Sequence, residues 1–130
     1  MPILIVEDNA INAKRLEHFL NTDGYQTIVT KNALVALATL SRVKDVQLII
    51  TDLHMPEMNG LDFIAKVKAI PAWQGLPIIV VSAQSDVGTV RRAGGLACDG
   101  FLVKPIEKEQ LLKRVQNLLN KKTSPHFTDK

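Results

Sequence analysis

The chain has 130 residues, 46% apolar and 22% charged, which suffices for one hydrophobic core and is ordinary for a globular domain. No apolar run approaches the roughly 20 residues of a membrane helix. The opening MPILIVEDN passes from a short apolar run into acids with no basic segment, unlike a secretory leader, so the expected compartment is the cytoplasm. The net charge of +3 comes from 16 Lys plus Arg against 13 Asp plus Glu. Lys108, Lys113, Arg114, Lys121 and Lys122 fall on and after one helical pattern, where they read as a solvated basic face. No nucleic-acid recognition module accompanies them, so DNA or RNA is not expected as a partner. The single cysteine, Cys98, has no partner for an internal disulfide or a metal site and reads as a small buried hydrophobe.

In chain order, the first apolar run is Ile3 to Val6, followed by helical spacing at Leu16, Phe19 and Leu20. After Asp23-Gly24, Tyr25 to Val29 is a strand with more polar alternation, placed nearer a sheet edge. Ala33, Leu37 and Leu40 mark a second helix, Leu48 to Ile50 a third strand, and Leu61, Ile64 and Ala65 a third helix after the turn at Asn59-Gly60. Ile78 to Val81 and the weaker Phe101 to Val103 complete the strands. Such short, β-branched, continuously apolar runs suit a parallel sheet buried on both faces. Between the last two strands, Ser85 to Gly95 is the weakest helix, because Gly88, Gly94 and Gly95 disfavour it. Leu111, Leu112, Val115, Leu118 and Leu119 form the longest stripe. Strict alternation predicts a single α/β domain, a (βα)5 doubly wound parallel sheet.

Ligands of such sheets bind beyond the carboxyl ends of the strands. Here the first run ends in Glu7-Asp8 and the third in Thr51-Asp52. Three carboxylates brought together repel one another unless a cation sits among them, and an all-oxygen set favours Mg²⁺ or Mn²⁺ over zinc. Taken singly, Asp8 and Asp52 read as helix caps before ligands. Ser82 and Lys104, at the ends of the next two strands, read singly as a turn residue and a surface lysine. Together the set supplies a carboxylate nucleophile, a metal site, a hydroxyl donor and a lysine charge, which is what phosphoryl transfer to an aspartate requires. Lys104-Pro105 is a candidate cis peptide that would aim Lys104 inward.

The motifs VEDN (Val6 to Asn9), TDLHMPEMNG (Thr51 to Gly60), VVSAQ (Val80 to Gln84) and FLVKPI (Phe101 to Ile106) resemble the response-regulator receiver family of two-component signalling, in order and at the family's spacing from about Ile3 to Asn120. The resemblance implies a flavodoxin-like, chemotaxis-regulator-like sheet of order 2-1-3-4-5, with a receiver domain over 1–121 and a disordered tail over 122–130. It implies Asp52 as phospho-acceptor, Glu7 and Asp8 as the Mg²⁺-holding acids, and a backbone carbonyl from His54 as a further ligand. Ser82 matches the position that binds a phosphoryl oxygen, Lys104 the site lysine, and Phe101 the aromatic switch. The implied protein is a switch rather than an enzyme acting on other substrates. It catalyses its own phosphorylation and dephosphorylation, takes the phosphoryl group from a histidine kinase or histidine phosphotransfer domain, and remodels the surface of the fourth helix, fifth strand and fifth helix for a protein partner. Phe101 reads equally as plain core. His54 and Gln84 flank the site where water would reach the acyl phosphate. A haloacid-dehalogenase-type phosphatase would carry an acid where His54 stands, and a flavodoxin-like carrier would need a phosphate-cradling loop where Glu7-Asp8 lies. Gly94-Gly95 and Ala97 depart from the family pattern and predict an early end to the fourth helix.

Overall fold

The computed structural model describes residues 1–86, 88 and 98–123, and within them the five apolar runs form one parallel sheet. The elements are β1 (Ile3–Val6), α1 (Ala10–Thr22), β2 (Thr27–Thr30), α2 (Ala33–Arg42), β3 (Leu48–Asp52), α3 (Gly60–Lys68), β4 (Ile78–Ser82), β5 (Gly100–Val103) and α4 (Lys108–Thr123). The order β2-β1-β3-β4-β5 is the one expected, and it places the more polar β2 at an edge. Strand β2 begins later than its apolar pattern suggested: Tyr25 donates its backbone N–H to the Leu20 carbonyl at 3.0 Å, completing the turn after α1 before pairing starts at Thr27. The predicted helix from Ser85 to Gly95 opens instead as part of a 3₁₀ turn over Gln84–Asp86, and most of the rest of it, with its early end and Ala97, falls on residues 87 and 89–97, outside the described residues. The tail expected from residue 122 begins later, because α4 continues to Thr123; residues 124–130 lie outside the described residues.

The pleat sorts the strands into two cores, since successive side chains point to opposite faces. Leu4, Val6, Ile49, Ile78 and Val80 face α2 and α3, where Ala33, Leu40, Phe63, Ile64 and Val67 meet them. Ile3, Ile5, Leu48, Ile50, Ile79 and Val81 face α1 and α4, against Leu16, Leu20, Leu111 and Val115. In α3 the stripe differs from Leu61, Ile64 and Ala65: Phe63 and Val67 are buried with Ile64, while Ala65 is exposed. The start at Gly60 sets that phase. Helices α1, α2 and α3 each begin behind an asparagine whose side chain accepts a backbone N–H three residues on: Asn9 from Asn12, Asn32 from Val35 and Asn59 from Asp62. Asp8 and Asp52 therefore do not cap these helices and are left for other work. Lys108, Lys113 and Arg114 are exposed along α4, as a solvated basic face requires.

Candidate functional site: an acidic cluster at the carboxyl ends of the strands

Register brings the site together. Val6 pairs with Thr51 and Asp52 with Val81, so Glu7 and Asp52 emerge at the same level of neighbouring strands. Ser82 pairs with Val103, and the Lys104 N–H donates to the Ser82 carbonyl at 2.8 Å, which puts Lys104 at the same edge. Oxygens of Glu7, Asp8 and Asp52 lie within 4.8 Å of one another. Glu7 and Asp52 are buried and Asp8 is exposed.

Each oxygen of the Asp52 carboxylate has partners. Oδ1 accepts the backbone N–H of Leu53 at 2.6 Å and of His54 at 3.2 Å, because the chain turns sharply at the strand end. Oδ2 accepts from Lys104 Nζ at 2.7 Å. Lys104 also lies 3.4 Å from Glu7 Oε1 and so bridges the two buried acids. The Lys104–Pro105 peptide is cis. Burial pulls the Lys104 ammonium down, but the hydrogen bond and charge of Asp52, with those of Glu7, outweigh it and raise its pKa. Glu7 is raised by burial, against the opposing Asn9 N–H, and further by the charge of Asp52. A second cation would relieve that repulsion. The donor set, all oxygen with buried and exposed carboxylates side by side, fits a hard ion such as Mg²⁺ that keeps part of its water shell.

Ser82 is fully buried, and its hydroxyl donates to Asp86 Oδ2 at 2.5 Å. The other Asp86 oxygen meets His54 Nε2 at 2.9 Å. The His54 imidazole itself is mostly exposed, and its other contact with the site is the backbone N–H on Asp52. Phe101 is half-buried against the α2 and α3 core, opposite Val80, so it is not a fully enclosed core ring.

The response regulator receiver domain model matches residues 3–116. The chain belongs to the response regulator receiver family of two-component signalling. It is 32% identical over 117 residues to the polar-differentiation response regulator DivK of Brucella anthropi, covering 90% of this chain and 94% of that protein. The signal receiver domain of a signal transduction histidine kinase from Syntrophus aciditrophicus superposes with a TM-score of 0.84 at 36% identity, over 92% of this chain and 89% of that one. A response regulator receiver protein from Pseudomonas putida gives 0.82 at 35% identity, over 89% and 96%. Receiver domains are signalling switches that take phosphate from histidine kinases or phosphotransfer proteins and bind Mg²⁺ in an acidic pocket. Among the described residues, no helix is long and apolar enough to cross a membrane.

Of the candidate site residues of this receiver, Glu7, Asp8, His54 and Lys104 gather around Asp52, and Ser82 is linked to them through Asp86 and His54, whereas Phe101 packs against the α2 and α3 core. Sequence reasoning missed two others. Asp86 stands four positions after Ser82, a spacing that means nothing until the short 3₁₀ turn Gln84–Asp86 folds the chain back. Gly60 donates its N–H to the Leu53 carbonyl at 2.7 Å, and a Cβ there would overlap the Asp52 carbonyl oxygen. Its position in MNG was legible only as a turn.

Proposed function

We propose that this receiver accepts a phosphoryl group on Asp52 from a phosphohistidine of a histidine kinase or histidine phosphotransfer domain in the cytoplasm, and then docks a protein partner through the region around Phe101. The observation that carries the reading is the environment of Asp52: one carboxylate oxygen held by two backbone N–H groups, the other by Lys104, with Glu7 and Asp8 alongside.

In the transfer an Asp52 oxygen attacks phosphorus as the P–N bond to the donor imidazole breaks. The imidazole leaves with that electron pair and takes a proton from solvent. The backbone N–H groups of Leu53 and His54 fix the nucleophile's orientation, which supplies part of the rate by positioning. Lys104 exchanges its bond to Asp52 for one to a phosphoryl oxygen, neutralising charge as it accumulates on the transferring group. Ser82 donates its hydroxyl to another phosphoryl oxygen, drawing the end of β4 inward. Phe101, half-buried on the neighbouring strand, then finds space to turn in, and the surface beside β5 changes. Glu7, Asp8, Asp52 and the His54 carbonyl would hold Mg²⁺ or Mn²⁺, whose charge offsets that of the phosphoryl oxygens.

Intact-mass measurement after incubation with acetyl phosphate tests the proposal. A Mg²⁺-dependent gain of one phosphoryl group, absent in Asp52→Asn, is expected. No gain with any divalent metal would demote Asp52 to a structural acid.

A further inference from the structure

Ser82 has one hydroxyl proton, and in this structure it is already committed. It points at Asp86 Oδ2 at 2.5 Å, the short distance of a hydrogen bond to a charged acceptor. Asp86 is held in turn by His54, whose Nε2 lies 2.9 Å from Oδ1, and by its own N–H on the Ala83 carbonyl at 3.0 Å. An ionised carboxylate has no proton to give, so Nε2–H donates to it and Ser82 donates from the other side. The two hydrogen bonds hold the Asp86 carboxyl below the usual carboxylate range. The chain therefore runs from the loop after Asp52, through the His54 side chain and Asp86, to the hydroxyl at the end of β4.

We propose that Asp86 is a latch on Ser82: a positioning residue that competes with the phosphoryl group for the Ser82 hydroxyl and so biases this receiver toward its unphosphorylated arrangement, with His54 holding the latch closed. The proposal rests on the reading of Asp52 and Ser82 given above. The phosphoryl group of an aspartyl phosphate carries about two negative charges, and Asp86 offers another; both need the same donor, so occupancy by one excludes the other. Asp86 is largely buried, so solvent does not readily replace Ser82 as its partner once the hydroxyl turns away. The cost of releasing the latch is charged to phosphorylation, and removing Asp86 refunds it.

The test is calorimetric titration of the full chain with beryllofluoride, a phosphoryl mimic, in saturating Mg²⁺. Asp86→Ala is expected to tighten binding about tenfold, about 1.4 kcal/mol, the scale of one hydrogen bond to a charged group. Asp86→Asn, which keeps the side-chain volume and guards against misfolding, should tighten it less. His54→Ala should act in the same direction and add little to Asp86→Ala, and Ser82→Ala should abolish the gain. Unchanged or weaker binding in both Asp86 variants, with the wild type binding normally, would overturn the latch and leave the Asp52 reading standing. A gain that survives Ser82→Ala would show that Asp86 acts by charge alone and would equally overturn it. Failure of the wild type to bind would remove the reading on which the latch stands.

Discussion

Gly60→Ala is a perturbation whose sign differs between local and tertiary reasoning. At the first position of α3, alanine should favour the helix by up to about 1 kcal/mol. The structure opposes this. A Cβ at Gly60 would overlap the Asp52 carbonyl oxygen and lie 2.7 Å from Leu53 Cα, and both neighbours are backbone at the end of a buried strand. Neither can swing aside as a flexible side chain would. Opening the approach by about an ångström costs what overpacking costs, about 1–3 kcal/mol, and lengthens the 2.7 Å bond from the Gly60 N–H to the Leu53 carbonyl, worth about 1 kcal/mol. Against the helix-propensity gain, the net loss is about 2 kcal/mol, or about 8 °C in melting temperature for a domain of this size. Urea unfolding followed by circular dichroism measures the first and a thermal melt the second. Because the displaced backbone carries Asp52, the variant should also take up phosphoryl from acetyl phosphate more slowly even when fully folded. A melt within 2 °C of the wild type, or a higher one, would refute the close approach of α3 to the end of β3.

Lys104→Met leaves Glu7 and Asp52 facing each other without their shared ammonium group, so it should lower stability by about 1–3 kcal/mol in metal-free buffer. Mg²⁺ should then raise its melting temperature more than that of the wild type; an unchanged metal-free melt would contradict the bridging role. Phe63→Ala empties a fully buried site in the α2 and α3 core and should cost about 3–5 kcal/mol by urea titration, with a loss under 1 kcal/mol arguing against that packing. The Cys98 thiol is pushed up by burial and by the charge of Asp99, so at neutral pH it holds less thiolate than a free cysteine. Disulfide-reagent labelling should accordingly be slow near pH 7 and accelerate with rising pH past the range where free thiols already react fully; a rate that is flat above pH 8 would oppose it.

Much of this receiver was written locally. The apolar runs from Ile3, Leu48 and Ile78 needed only their own composition to become buried strands. Because a doubly wound sheet aligns its strand ends, the acids, hydroxyl and lysine that follow those runs were bound to share one edge once the sheet formed. What sequence could not decide was anything set by the path of a turn or the phase of a helix. Whether Asp8 and Asp52 cap helices or face a common site depended on which neighbour took the cap. The buried face of α3 shifted to Phe63 and Val67 because its first residue packs on the Leu53 backbone. Asp86 reached Ser82 only through a 3₁₀ turn, and His54, chosen for its carbonyl, turned out to hold Asp86 with its ring. Strand preferences are properties of a few adjacent residues, whereas these contacts depend on ångström-scale distances between segments far apart in the chain, and only the packed tertiary structure sets those.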